Sequence, residues 1–162
     1  GRLDILVNCA EVEPQKTVLE MDEWDWVRTL DVNLTGAFLL TQSAGRIMKE
    51  KGGGKIINVS SVAGLTPDIL PVYSISKAGV IMATKVMAQQ WAPYNIRVNA
   101  IAPGIIESAM TDDVFDKEAI KRLVPVGRAG KPEEVADLVA FVASAKAAYI
   151  SGQIISINGA MI

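Results

Sequence analysis

The chain has 162 residues, half of them hydrophobic and 21% charged, with a net charge of −2. That is one domain's worth of chain, long enough to bury a core, and its charge argues against a nucleic-acid or anionic-membrane partner. It has no histidine and a single cysteine, Cys9, which excludes an internal disulfide framework, argues against a zinc site and suits a reducing cytoplasm. Cys9 itself reads as a small buried hydrophobe. No apolar run approaches the roughly 20 residues of a membrane-spanning helix, and no basic-then-apolar signal segment is present. Gly1-Arg2-Leu3-Asp4 leads straight into an apolar run, so the chain reads as the middle of a longer protein.

Ile5-Leu6-Val7 is continuously apolar, the pattern of a strand buried on both faces. Glu11 to Thr17 is polar, contains Pro14 and reads as a loop. Met21 to Asp31 predicts a helix with Trp24, Val27 and Leu30 on one face, and Leu34 to Lys49 predicts a second. Gly52-Gly53-Gly54 ends it, and Lys55 to Val59 predicts the second strand. A loop with Pro67 and Pro71 precedes a third helix from Tyr73 to Trp91, and Ile96 to Ala100 predicts the third strand, closed by Pro103-Gly104. Glu107 to Leu123 is polar and irregular, with a short helical excursion. Lys131-Pro132-Glu133-Glu134 is a helix start, with proline in the first turn and acids favoured by the helix dipole. Gln153 to Ile157 is the last strand. Strands alternating with helices in this way predict an α/β fold with a parallel sheet. In such sheets ligands bind beyond the carboxyl ends of the strands, where Asn8, Ser61 and Pro103-Gly104 fall.

Three polar residues carry candidate chemistry. Ser61 stands where an apolar run ends, and Tyr73 and Lys77 stand four apart at a helix start. That spacing puts both on one helix face, roughly 5–6 Å apart at Cβ. A lysine ammonium there favours the phenolate and lowers the tyrosine pKa from about 10, making a general acid/base without histidine. Other candidates are weaker. Gly52-Gly53-Gly54-Lys55 lacks the spacing of a phosphate loop and reads as a turn. The acids from Glu107 to Glu118 read as a solvated face rather than a metal site.

Serine followed by Tyr-x-x-x-Lys resembles the short-chain dehydrogenase/reductase family, and the resemblance extends over nearly the whole chain. Asn8-Cys9-Ala10-Glu11 resembles the family's Asn-Asn-Ala-Gly. Asp31-Val32-Asn33-Leu34-Thr35-Gly36 resembles its asparagine segment, and Asn58 to Gly64 its serine strand. Tyr73 to Gly79, Ile96 to Gly104 and Tyr149 to Gln153 resemble its tyrosine–lysine motif, nicotinamide-side strand and last strand. The wording of these motifs is most similar to the 3-oxoacyl-carrier-protein reductase and sugar or polyol dehydrogenase branches. The resemblance implies NAD(P)-dependent interconversion of a secondary alcohol and a ketone. It makes Tyr73 the general acid/base and Ser61 a hydrogen-bond donor to the same oxygen. Lys77 would lower the tyrosine pKa and bind the nicotinamide ribose. Asn33 would hold a relay water, with a helix cap or packing role as the alternative. Asn8 and Ala10 would line the adenosine-ribose end, and Pro103, Gly104 and the Ile106 backbone would face the nicotinamide. Ser108 would contact the cofactor or cap a helix. The implied cofactor is NAD or NADP, and the implied partners are a small carbonyl or alcohol substrate and further copies of the chain in a dimer or tetramer.

The sequence departs from the family pattern in two respects. It contains no Gly-x-x-x-Gly-x-Gly or Gly-x-Gly-x-x-Gly, the loop that bears a pyrophosphate on backbone N–H groups. The family's strand order 3-2-1-4-5-6-7 then reduces to 4-5-6-7. The expectation for residues 1–162 is thus a partial Rossmann-like domain, its catalytic half, without the first three of seven strands and with Ile5 to Asn8 as a bare apolar edge. A second chain or an upstream segment would supply the first half, or the fragment would oligomerise through its exposed surfaces. The first-strand motif is the second departure: Cys9 stands for its second asparagine and Glu11 for its glycine, where a side chain would crowd the cofactor. The alternative reading is a non-enzymatic fragment or assembly partner that does not bind a dinucleotide by itself.

Overall fold

A computed structural model describes residues 1–67, 70–108, 111 and 116–162. Four strands, β1 (Ile5–Asn8), β2 (Gly54–Val59), β3 (Ile96–Pro103) and β4 (Ile154–Ile157), form one sheet in the order β1-β2-β3-β4. Every neighbouring pair is parallel. Helices α1 (Glu23–Leu30), α2 (Ala37–Glu50), α3 (Pro71–Trp91), α4 (Lys117–Leu123) and α5 (Pro132–Ala143) make the crossovers. The chain therefore has the expected Rossmann-like α/β architecture.

Side chains alternate across the sheet, so adjacent β2 residues enter different cores. Ile56 packs with Ala44, Met48, Met87, Ala88, Ile96 and Val98 beneath α2 and α3. Ile57 packs with Ile101 and Val142, with Val135, Leu138 and Val139 of α5 against them. β3 is buried through its interior, while β1 is the sheet edge. Ile5 is 44% and Val7 41% exposed, so β1 is not buried on both faces as its continuous apolarity implies. Leu6 packs into the core beneath α2 and α3, whereas among the described residues the opposite face of β1, with Ile5 and Val7, adds nothing to the core beneath α5, and the strand is an edge as the family's strand order implies.

Two further readings are corrected. The helices predicted over 21–31 and 34–49 are one continuous rod, because α1 passes into α2 through a π-helical turn at Asp31–Gly36. α1 also turns its polar side inward. Its buried residues are Asp25 and Thr29, and Asp25 pairs with Lys16 at 2.5 Å. Trp24 and Val27 are exposed. Asp22 caps this rod by accepting from the Asp25 N–H at 2.8 Å.

Candidate active site

The site forms at the carboxyl end of β2, where the chain turns at Ser61 and returns along α3. Ser61 caps a short turn over Val62–Gly64 by accepting from the Ala63 N–H at 3.1 Å. Gly64 lets this turn lie directly on α3, since a Cβ there would stand 2.7 Å from the Lys77 carbonyl carbon and 2.9 Å from the Ala78 nitrogen. The neighbouring Ser60 donates to the Lys77 carbonyl at 3.0 Å. Ser60 thus holds the helix backbone, and the Ser61 hydroxyl is near enough to the Tyr73 phenol to favour its phenolate. Proline at the first position of α3 starts the helix without losing a hydrogen bond, which puts Tyr73 and Lys77 in its first two turns. Both are buried, and the Lys77 ammonium lies 5.4 Å from the Tyr73 ring centre.

The Lys77 ammonium donates to the Val59 carbonyl at 3.0 Å. Its second partner is the Glu11 carboxylate, an ion pair with Lys77 side-chain exposure of 2% and Glu11 exposure of 23%. Both Glu11 oxygens also lie 3.4 Å from the Tyr73 hydroxyl, which donates toward them. These contacts reverse the expected tuning of Tyr73. Burial first, and then the Glu11 charge, push the phenol above its ordinary value, with Glu13 adding to the rise and only the Ser61 hydrogen bond lowering it. Lys77 alone would favour the phenolate, but its charge is shared with a carboxylate that disfavours it.

Asn33 sits in the π-helical turn and is buried. Its Oδ1 accepts from the Val12 N–H at 2.8 Å, while its Nδ2 donates to the Val12 carbonyl at 2.9 Å and to Ser76 Oγ at 3.1 Å. The amide thereby clamps the loop that carries Glu11. π turns of this kind often mark functional positions. Asn8 gives its side-chain amide to Thr41 Oγ1 and Asn58 Oδ1, each at 2.8 Å, and Asn58 continues to Thr84 at 2.9 Å. This network ties the ends of β1 and β2 to α2 and α3. Ala10 and Cys9 are exposed in the loop after β1, so Cys9 is not the buried hydrophobe that its composition class suggests: the loop carries it past the sheet edge.

Pro103 ends β3, and the Gly104 N–H donates to the Ile157 carbonyl at 3.0 Å. Ile106 bridges to Gly130, with the Glu107 N–H on the Gly130 carbonyl at 2.9 Å. Gly130 therefore fastens this loop to the segment before α5, which Glu134 braces through Arg128 and the Lys131 N–H, and neither residue carries a motif signal that marks the role. Ser108 Oγ lies 3.2 Å from Thr111 Oγ1. Residues 109, 110 and 112–115, and with them the helix that Ser108 would cap and the acids Asp112 and Asp113, lie outside the described residues, as do 68 and 69 of the loop before α3. Glu11 is the site residue whose part the sequence misses. Its departure from glycine is visible, its contact with Lys77 is not.

Comparison with known proteins shows the family of the chain. Residues 1–161 match the family model described as enoyl-(acyl carrier protein) reductase. The chain is 47% identical over 162 residues to the 3-oxoacyl-[acyl-carrier-protein] reductase of Aquifex aeolicus, covering 98% of this chain and 65% of that protein. Among solved structures, a 4-hydroxyisoleucine dehydrogenase complexed with NADH superposes with a TM-score of 0.91 at 30% identity, over 98% of this chain and 68% of that one. A protein from Agrobacterium tumefaciens with bound NADP superposes with a TM-score of 0.91 at 38% identity, over 98% and 67%. The chain thus spans about two thirds of the length of the proteins it matches, and it belongs to the short-chain dehydrogenase/reductase family.

Proposed function

We propose that the chain carries the proton-transfer half of a nicotinamide-dependent oxidoreductase that interconverts a secondary alcohol and a ketone. The observation that carries this reading is the meeting of Ser61, Tyr73 and Lys77 at one strand end. The donors present fit the nicotinamide end of NAD or NADP. An ammonium has three N–H groups, and Lys77 commits them to Val59 and Glu11 with one left for a ribose hydroxyl. Beside Gly104, Asn158 keeps a buried Nδ2 with no hydrogen-bond partner among the described residues. Lys77, Pro103, Gly104 and Ile106 would hold that end of the molecule.

When bound, the dinucleotide supplies or takes the hydride at the substrate carbon. Tyr73 gives its hydroxyl proton to the carbonyl oxygen during reduction and takes it from the alcohol during oxidation. Ser61 donates to the same oxygen and stabilises the charge that develops on it. Exposed Phe38, Leu39, Leu40, Met82 and Val86 on α2 and α3 support the expectation of a homo-oligomer, which sedentation-free sizing by light scattering would test directly. For the chemistry, the 162-residue chain is assayed on a ketone panel with NADH and NADPH. Turnover that Tyr73→Phe abolishes supports the enzyme. Absence of saturable dinucleotide binding at millimolar concentration favours the second reading, a non-catalytic fragment, which the missing glycine-rich motif supports.

A further inference from the structure

We propose that Glu11 is a positioning residue for Tyr73: its carboxylate claims the Lys77 ammonium and faces the phenol, so that the site holds a proton to give. The proposal rests on the oxidoreductase reading and adds to it a working pH range for each direction. Asn33 grips both backbone groups of Val12, and that grip aims the preceding residue at α3. Glu11 reaches Lys77 and sets both carboxylate oxygens 3.4 Å from the phenol. The pair is largely shielded from water, where charges act more strongly than at the surface.

The charges around the phenol follow from the packing. Glu11 and Glu13 face it from the loop after β1, and Lys77 from α3; the Ser61 hydroxyl meets it from the β2 turn. Forming the phenolate would place a second negative charge against Glu11. Lys77, the cation beside the phenol among the described residues, is already paired. Carbonyl reduction needs the protonated phenol, so it runs unchanged through neutral pH. Alcohol oxidation needs the phenolate, so it rises only under alkaline conditions. A ribose hydroxyl approaching Lys77 also meets a carboxylate acceptor there.

The test is an ultraviolet absorbance titration of tyrosine ionisation in the 162-residue chain. There are three tyrosines; Tyr94 is 40% exposed and Tyr149 is fully exposed. Two are expected to ionise together while the third lags, and Tyr73→Phe removes the lagging one. In Glu11→Gln the Tyr73 midpoint falls by roughly 1–3 pH units, the scale of a removed neighbouring charge. An unmoved midpoint overturns the proposal, as does Tyr73 ionising alongside Tyr94 in the unsubstituted chain. If circular dichroism shows Glu11→Gln unfolded, Glu11→Gly replaces it, and the unsubstituted titration still decides. A chain that binds no dinucleotide yet shows the lag and its release sinks the enzyme reading and supports the Glu11 assignment. Turnover lost in Tyr73→Phe beside a titration insensitive to Glu11→Gln does the opposite.

Discussion

The ends of β1 and β2 meet over Tyr73, and they are built by different means. The β2 end is a matter of close packing. Gly64 lies on the α3 backbone, Ser60 holds the Lys77 carbonyl, and Lys77 reaches back to Val59. The β1 end is a half-exposed edge strand followed by a loop held chiefly through Asn33 and the Glu11–Lys77 pair. A packed backbone leaves little room for variation without structural loss. A loop tied by a few polar contacts can exchange a side chain and alter the chemistry instead. On the proposed reading, the first end presents the proton donor and the second sets how readily its proton leaves.

Substitutions at the two ends should separate these roles. The largest effect is expected from Tyr73→Phe, which removes the proton donor itself and should lower ketone reduction by about 10²–10⁴-fold with the thermal midpoint nearly unchanged. At the packed end, Gly64→Ala forces a methyl against the Lys77 backbone. It should cost roughly 1–3 kcal/mol of stability, read by chemical denaturation, and should impair turnover as Ser61 shifts. At the polar end, Asn33→Ala releases Val12 and should cost about 1 kcal/mol. Unlike Gly64→Ala, it should lower the Tyr73 midpoint, because the Glu11 carboxylate is no longer aimed. The smallest effect lies outside both ends. Arg128 and the Lys131 N–H hold the Glu134 carboxyl down to about 2 from its ordinary 4.5. A folded value below the unfolded one stabilises above pH 4.5 and stops doing so as pH falls toward 2. The Tm gap between the unsubstituted chain and Glu134→Gln should therefore close over that interval. A gap that persists at low pH would show that the pair is not what fastens the loop.

Much of the architecture was legible because it follows from local pattern. Buried parallel strands are short continuous apolar runs, and Gly52 to Gly54 and Pro71 mark where helices stop and start. The i,i+4 spacing put Tyr73 and Lys77 on one face, and they are near neighbours in the structure. What was not legible depends on partners distant in sequence. An apolar run reads the same at an edge as at the centre, so by pattern β1 looked like β3, and only the family's strand order marked it as the edge. The inward face of α1 is polar because Asp25 finds Lys16, which no periodicity reveals. Lys77 in isolation lowers a tyrosine pKa, but burial, and then a carboxylate 66 positions away in the chain, raise it. Gly64 was noticed for its place in a motif, while its physical reason, contact with α3, needed coordinates.

The π-helical turn has a consequence for the history of the chain. Counted at about 100° per residue, the buried positions Asp25 and Thr29 of α1 and Thr41, Ala44, Gly45 and Met48 of α2 fall on different stripes. Dropping one residue from the count brings them close to a single stripe. The turn has absorbed an additional residue without rotating either half of the rod, as an insertion into an ordinary helix would. Deleting one residue from Asp31–Gly36 should leave α1 and α2 facing the way they do now. What it would erase is the outward swell of the backbone that lets Asn33 reach Val12 and Ser76 together.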